Sequence, residues 1–283
     1  MFDTRPFQYP WVLFHLKKTV FGISAENVRS MVATSDVARV PNAPVHVRGV
    51  VNLRGNVLPL MDLRILMNMP SHMSEVEDFC ALMDRREADH RNWLLELESS
   101  VRQEREFTKT TDPHACAFGK WYDNYNPDSH ILRSILRKFD GPHKRIHGIA
   151  RKVLELEKAN KTKEAYVIIE KCRNNELAEM VELFEQARQA YREYKREVCI
   201  VLEHKEGLVA AAVDRIEAVE HLPLNTVEAV SENFAGGNAC GLIQATGRRK
   251  QNNDVVFLLD YDNLVKTLRS DDLTAMALNR DIS

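Results

Sequence analysis

The sequence lacks any apolar run approaching the roughly 18 residues that cross a bilayer as a helix, so membrane insertion is not expected. It has little cysteine: five in 283 residues (Cys80, Cys116, Cys172, Cys199 and Cys240). They show no paired spacing, which argues against a disulfide framework and for thiols of a reducing compartment, most of them packing residues. It also lacks an excess of either charge. With 39 Lys and Arg against 41 Asp and Glu, the net charge of −2 gives no global attraction to nucleic acid or anionic lipid. Residues 1–16 have no basic segment leading into an apolar stretch and do not read as a secretory signal. The cytoplasm is the expected compartment.

What is present divides the chain into three stretches. Residues 11–70 carry short β-type runs, Trp11–Leu16, Thr19–Ile23, Val45–Asn52 and Val57–Met61, broken by glycine and proline. Between Ser74 and Arg196 there are only three glycines, and apolar residues recur at helical spacing. One stripe is Phe79, Leu82, Met83, His90, Trp93, Leu94, Leu97 and Val101. A second, Ile131, Leu132, Ile135, Leu136 and Phe139, stops at Asp140-Gly141-Pro142, where Asp140 can cap a helix whose first turn holds Pro142. His143, Ile146, His147, Ala150, Val153 and Leu154 follow, then Leu177, Met180, Phe184, Ala187, Tyr191 and Tyr194. These stripes predict an antiparallel helical bundle. Past residue 197, β-type runs return at Val198–Leu202, Leu208–Val219 and Val255–Leu259, punctuated by Gly207, Gly236, Gly237 and Gly241. The expected fold class is α+β, a β domain interrupted by an inserted bundle: each β piece alone is near the lower size limit for an independent core, and an even-numbered bundle brings its two ends together.

The bundle carries the chemistry. His143 and His147, four apart, project from one helix face and can chelate one ion. That spacing alone is weak. His90 on a buried stripe and Cys116 in a short aromatic segment strengthen it, because buried polar groups require partners. One thiolate and three imidazoles close a tetrahedral zinc shell and leave no vacant position for a substrate, which favours sensing or structure over hydrolysis. An enzymatic reading would need a carboxylate base, and Glu87, one turn before His90, is the candidate by spacing. His114 and His130 lie by loop signals and read as surface residues. The basic run Arg248, Arg249 and Lys250 reads as a loop, far short of a nucleic-acid groove.

The order His90-x-x-Trp93, Cys116-Ala-Phe-Gly-Lys-Trp-Tyr122, His143-x-x-x-His147 resembles the chemoreceptor zinc-binding domain, over residues 75–195. The resemblance implies that His90, Cys116, His143 and His147 bind one Zn(2+), and that the domain senses zinc or reactive chlorine oxidants, with Cys116 as the redox switch. The stretch Val47 to Arg64, with the turn Arg54-Gly55-Asn56 between two apolar strands and the ending Asp62-Leu63-Arg64, resembles CheW-like proteins, as does Gly207 to Val219. That resemblance implies a fold of two small β-barrels spanning 8–72 and 197–268, with 73–196 as the insert. It also implies a non-enzymatic chemotaxis scaffold coupling chemoreceptors to the histidine kinase CheA. Arg54 matches a position linked to receptor contact, whereas Asp62 and Arg64 read as a helix-start pair. The bundle also allows a homodimer. A constitutive adaptor whose zinc is purely structural is the alternative.

Overall fold

The computed structural model describes residues 7–34, 37–205, 207–230 and 241–270; Gly236, Gly237 and Cys240, singled out above, lie outside them. The chain forms two units. One comprises the chain up to His72 together with the chain from Arg196 onward, and the other is Met73–Lys195.

The first unit contains two six-stranded mixed sheets. Its N-terminal part supplies β1 (Trp11–Leu16), β2 (Thr19–Ser24), β3 (Val28–Ala33), β4 (Val37–Ala38), β5 (Val47–Leu53), β6 (Asn56–Asp62) and the single turn of α1 (Leu63–Leu66). Its C-terminal part supplies β7 (Val198–His204), β8 (Gly207–Val213), β9 (Arg215–Glu220), β10 (Glu228–Ala229), β11 (Ile243–Arg248), β12 (Val255–Leu259) and α8 (Tyr261–Ser270). The sheet orders are β10-β11-β12-β2-β1-β9 and β3-β7-β8-β6-β5-β4. Both sheets therefore depend on pairing across the helical stretch: β1 with β9 and β3 with β7 antiparallel, β2 with β12 and β6 with β8 parallel.

The alternation of side chains along a strand explains the burial. Val12, Phe14 and Leu16 of β1 share a core cluster with Val209, Ala211 and Val213 of β8, while Trp11 and Leu13 belong to a second cluster, and Ala210 and Ala212 to a third. β1 is buried on both faces, its one polar residue, His15, being paired with Glu217. The run Leu208–Val219, which reads as one strand, is two. It breaks at Asp214, whose carboxylate is bonded elsewhere in the unit, and β9 then alternates as an edge strand with no fully buried residue. At the β5–β6 hairpin Arg54 and Gly55 both take positive φ, 53° and 89°, the pairing a two-residue turn needs to match strand twist.

The second unit is helical: α2 (His72–Arg102), α3 (Ala117–Tyr122), α4 (His130–Arg137), α5 (Asp140–Lys158), α6 (Thr162–Cys172), a π-helical turn at Arg173–Leu177, and α7 (Ala178–Tyr194). Ion pairs fix its directions. Glu75 meets Lys195, Asp84 meets Arg188 and Glu98 meets Arg173, so α2 runs antiparallel to the α6–α7 rod. Arg145, early in α5, pairs with Glu176 and Glu179, while the end of α5 at Lys158 turns directly into α6 at Thr162, so α5 is antiparallel to that rod as well. Phe118, Phe139 and Phe184 pack at the centre with ring centroids 4.8–5.4 Å apart.

Three local expectations are corrected. Residues 103–116 are not helical, since the backbone there closes a loop over α3. Ile131 and Tyr194, assigned to buried stripes, are 68% and 47% exposed, because each lies at a helix end where the packed face has run out. Asp140 is the first residue of α5, not its cap: the backbone is already helical at Phe139, with Pro142 in the first turn as expected.

Candidate metal centre

Three elements of the bundle converge. α2 carries His90, the start of α3 carries Cys116, and α5 carries His143 and His147; one donor atom from each lies within 4.8 Å of all the others. The Cys116 sulfur is 3.2 Å from His143 Nε2. The three histidines are buried and Cys116 is half-buried.

Neighbouring groups decide which ring nitrogen is available. A backbone carbonyl can only accept. His90 Nδ1 therefore donates to Arg86 O at 2.7 Å, and His147 Nδ1 donates to Thr110 O at 3.3 Å. Each ring then presents a bare Nε2, and both Nε2 atoms are buried without a hydrogen-bond partner among the described residues. Two orphaned acceptors in one buried cluster are costly unless a ligand fills them. The carbonyls act as the outer partners that orient ligating imidazoles. Thr110 O also accepts Trp93 Nε1 at 2.8 Å, which ties the 103–116 loop to α2 directly behind His147.

Cys116 is held by its own turn. Its sulfur accepts the Gly119 amide at 3.1 Å, and a Cβ at residue 119 would stand 1.9 Å from Pro113 O, so only glycine lets the loop close over α3. Phe118, completely buried, supplies the apolar floor, with its ring 5.6 Å from that of His90 and 5.0 Å from that of His143.

Electrostatics keep the imidazoles neutral. Burial, reinforced by the neighbouring imidazoles His90 and His147, pushes His143 down to about 3; burial, with His90, pushes His147 down to about 4; burial also lowers His90. Neutral imidazole is the ligating form. Burial pushes the Cys116 thiol up, against the pull of the Gly119 and Phe118 amides, a cost that a bound cation would offset. One thiolate and three imidazoles in reach of one point fit a tetrahedral zinc ion, with a closed shell.

The other residues singled out above fall outside this cluster. Glu87 is bound to Arg91 and Arg188, which occupy both its carboxylate oxygens. His114 is exposed and pairs with Asp123, and His130 is exposed. Arg54 is exposed at the β5–β6 turn, beside a cavity of about 350 Å³ lined also by Leu53, Leu58 and Leu208, and makes no ion pair among the described residues. Asp62 caps α1 through the Arg64 and Ile65 amides. Arg249 lies in the loop that follows β11, as expected. It is buried between Glu217 and Glu220, which neutralise it.

A His₃Cys donor set fills a tetrahedral shell and leaves no position for a substrate, the chemistry of a structural or sensory site rather than a hydrolytic one. Residues 90–154 match the chemoreceptor zinc-binding domain family, and residues 10–90 match the CheW-like domain family. The chain thus combines a CheW-like domain with a chemoreceptor zinc-binding domain. It is similar to the chemotaxis protein CheW of Treponema pallidum (strain Nichols), 36% identical over 56 residues, which is 20% of this chain and 33% of that protein. It is also similar to the chemotaxis protein CheW of Bacillus subtilis (strain 168), 34% identical over 61 residues, 22% and 39% of the two chains. The chain therefore spans between a third and two fifths of the length of these relatives. The scaffolding protein TtCheW from Thermoanaerobacter tengcongensis aligns over 89% of both chains at 10% identity, with a TM-score of 0.41. No helix among the described residues is long and apolar enough to cross a membrane.

Proposed function

We propose that this protein is a cytoplasmic, non-enzymatic chemotaxis scaffold that couples chemoreceptors to the histidine kinase CheA, under the control of a zinc-thiolate sensor. The CheW-like domain, a double β-barrel over 8–72 and 197–268, is interrupted by the zinc-binding bundle over 73–196. Pairing of N-terminal with C-terminal strands in both sheets supports that arrangement. The observation that carries the sensor is the convergence of Cys116 with three imidazoles, two of whose Nε2 atoms are buried and unpartnered.

His90, Cys116, His143 and His147 would hold Zn(2+), which supplies a cationic anchor that keeps the thiol ionised. The Arg86 and Thr110 carbonyls fix two of the imidazoles, and the Gly119 amide steadies the sulfur. Hypochlorous acid would take two electrons from the Cys116 thiolate: an S–O bond forms, the O–Cl bond breaks, chloride leaves and the sulfur becomes a sulfenic acid. A sulfenic acid binds the metal less well, and α3 and α5 lose their common tether. Such a change alters signalling only if the two bundle states bind a partner differently. On the β side both connections begin from buried charge: Ser71 donates to Asp62, Arg64 lies 3.5 Å from Pro70 O, and Glu197 pairs with Arg48. Arg54 is proposed as a receptor contact, on its exposure at the turn.

The test measures zinc content and CheA binding on one sample before and after hypochlorous acid. Zinc release together with changed CheA affinity supports the gated scaffold. Zinc retained and binding unaltered leaves a constitutive adaptor with a structural zinc. A full oxidant response in Cys116→Ala refutes the switch.

A further inference from the structure

A cavity of about 600 Å³ opens within the helical unit beside the candidate metal centre, and His90, Cys116 and His147 contribute to its wall. The charged residues that line it are Arg86, Lys109 and Lys120 against one acid, Asp89. Arg86 pairs with Asp89 at 2.6 Å through Nη1, while its Nε is buried with no hydrogen-bond partner among the described residues. Lys109 and Lys120 are exposed. The Arg86 guanidinium is close enough to act electrostatically on both His90 and Cys116. The lining therefore carries a net charge of +2, three cations less one acid. A zinc ion held by one thiolate and three neutral imidazoles adds a further +1. A concave site of one sign, walled by protein, concentrates ligands of the opposite sign.

We infer that this cavity admits compact anions selectively to the Cys116 sulfur, with Lys109, Lys120 and Arg86 setting the selectivity. The inference takes the zinc reading as its starting point and adds the class of reagent that reaches the site. It requires no particular oxidant and no partner protein. Access is set by charge and shape together: a bulky anion is excluded by the half-buried position of Cys116, and a neutral molecule of the same size enters without enrichment.

Paired alkylating probes test this on the zinc-loaded full chain. Iodoacetate and iodoacetamide are nearly the same size and react alike: the thiolate attacks the methylene carbon, the C–S bond forms and iodide leaves. Their rate ratio at Cys116, read by peptide mass spectrometry, cancels the thiolate fraction and the general accessibility, and the urea-unfolded chain provides the reference ratio. The folded chain is expected to favour iodoacetate roughly tenfold over that reference at low salt, with the preference collapsing near 1 M salt. In Lys109→Gln/Lys120→Gln, two exposed positions whose change spares the core, the ratio should fall by about fivefold. A ratio equal to that of the unfolded chain, or one unchanged in the double variant, overturns the inference. Zinc content on the same samples separates the two readings. A chain that holds no zinc refutes the zinc centre, whereas a zinc-loaded chain without anion preference refutes the entry site alone.

Discussion

Two buried polar clusters, one in each unit, differ in what they lack. In the β unit Arg64 is 2% exposed, and it binds Asp214 through both Nε and Nη2; Glu197 pairs with Arg48 and lies 3.8 Å from His72, and Asp62 caps α1 while accepting from Ser71. Every charge there has a partner of opposite sign or a set of donors. In the helical unit four ligand atoms converge, and two buried Nε2 atoms find no hydrogen-bond partner among the described residues. Burial is the same, but satisfaction is not. The first cluster is complete as folded and holds the two halves of the β unit together; the second leaves buried acceptors that a bound cation would satisfy.

The comparison breaks most sharply at Asp214. Removing it deletes the carboxylate that buried Arg64 binds through two nitrogens, and the acceptor of the Lys17 amide at 2.6 Å. Asp214→Ala should destabilise the β unit by about 3–5 kcal/mol, the usual cost of breaking a buried pair from one side. Zinc content per chain should stay unchanged. Denaturant unfolding and metal analysis of the same variant check both halves, and zinc lost along with stability would mean that the clusters are not independent.

Acidification should separate the units next, by sign. In chelator-treated protein His143 and His147 titrate near 3 and 4 when folded, against 6.5 when unfolded. Between pH 6.5 and about 4 the unfolded chain therefore binds more protons, so stability is lost as pH falls through that window. Two such groups correspond to about 2 kcal/mol over the first unit below 6.5. Glu197 has the opposite sign. Burial raises its carboxyl, outweighing the pull of Arg48, so the folded β unit takes up a proton sooner than the unfolded chain and gains stability as pH falls toward the ordinary carboxyl value of 4.5. Unfolding of the zinc-free protein followed by helical and strand signals from pH 7 to 5 should show the helical unit weakening first. Equal slopes in both units would contradict the assignment.

The same contrast explains what could be read from the sequence. His90, His143 and His147 lie on helical stripes, and local periodicity carries that information, as it does for β1 and β12, whose observed bounds, Trp11–Leu16 and Val255–Leu259, are those expected. Arg64–Asp214 and Arg48–Glu197 join residues 150 and 149 positions apart, which no local pattern encodes. The burial of Arg249 is hidden for the same reason: its position in a loop is legible locally, but its partners Glu217 and Glu220 lie 32 and 29 residues away. The Thr110 carbonyl was invisible too, because a backbone acceptor has no sequence signature. Its one clue is Trp93, a residue whose N–H needs a partner when buried.

That carbonyl sets the smallest expected effect. Thr110 O receives both Trp93 Nε1 and His147 Nδ1, and the two rings lie 4.9 Å apart. Trp93→Phe keeps an aromatic ring against Phe107, now 5.2 Å away, but removes one of the two donors that hold the loop. Loss of one buried hydrogen bond should cost about 1 kcal/mol. His147 would keep its bond to a looser carbonyl, and zinc affinity should fall by roughly fivefold or less, below the 10–100-fold typical of deleting an outer partner outright. Competition with a zinc-binding dye measures this. A loss above about a hundredfold would show that Trp93 holds the ligand itself, and no change would show that His147 alone fixes the loop.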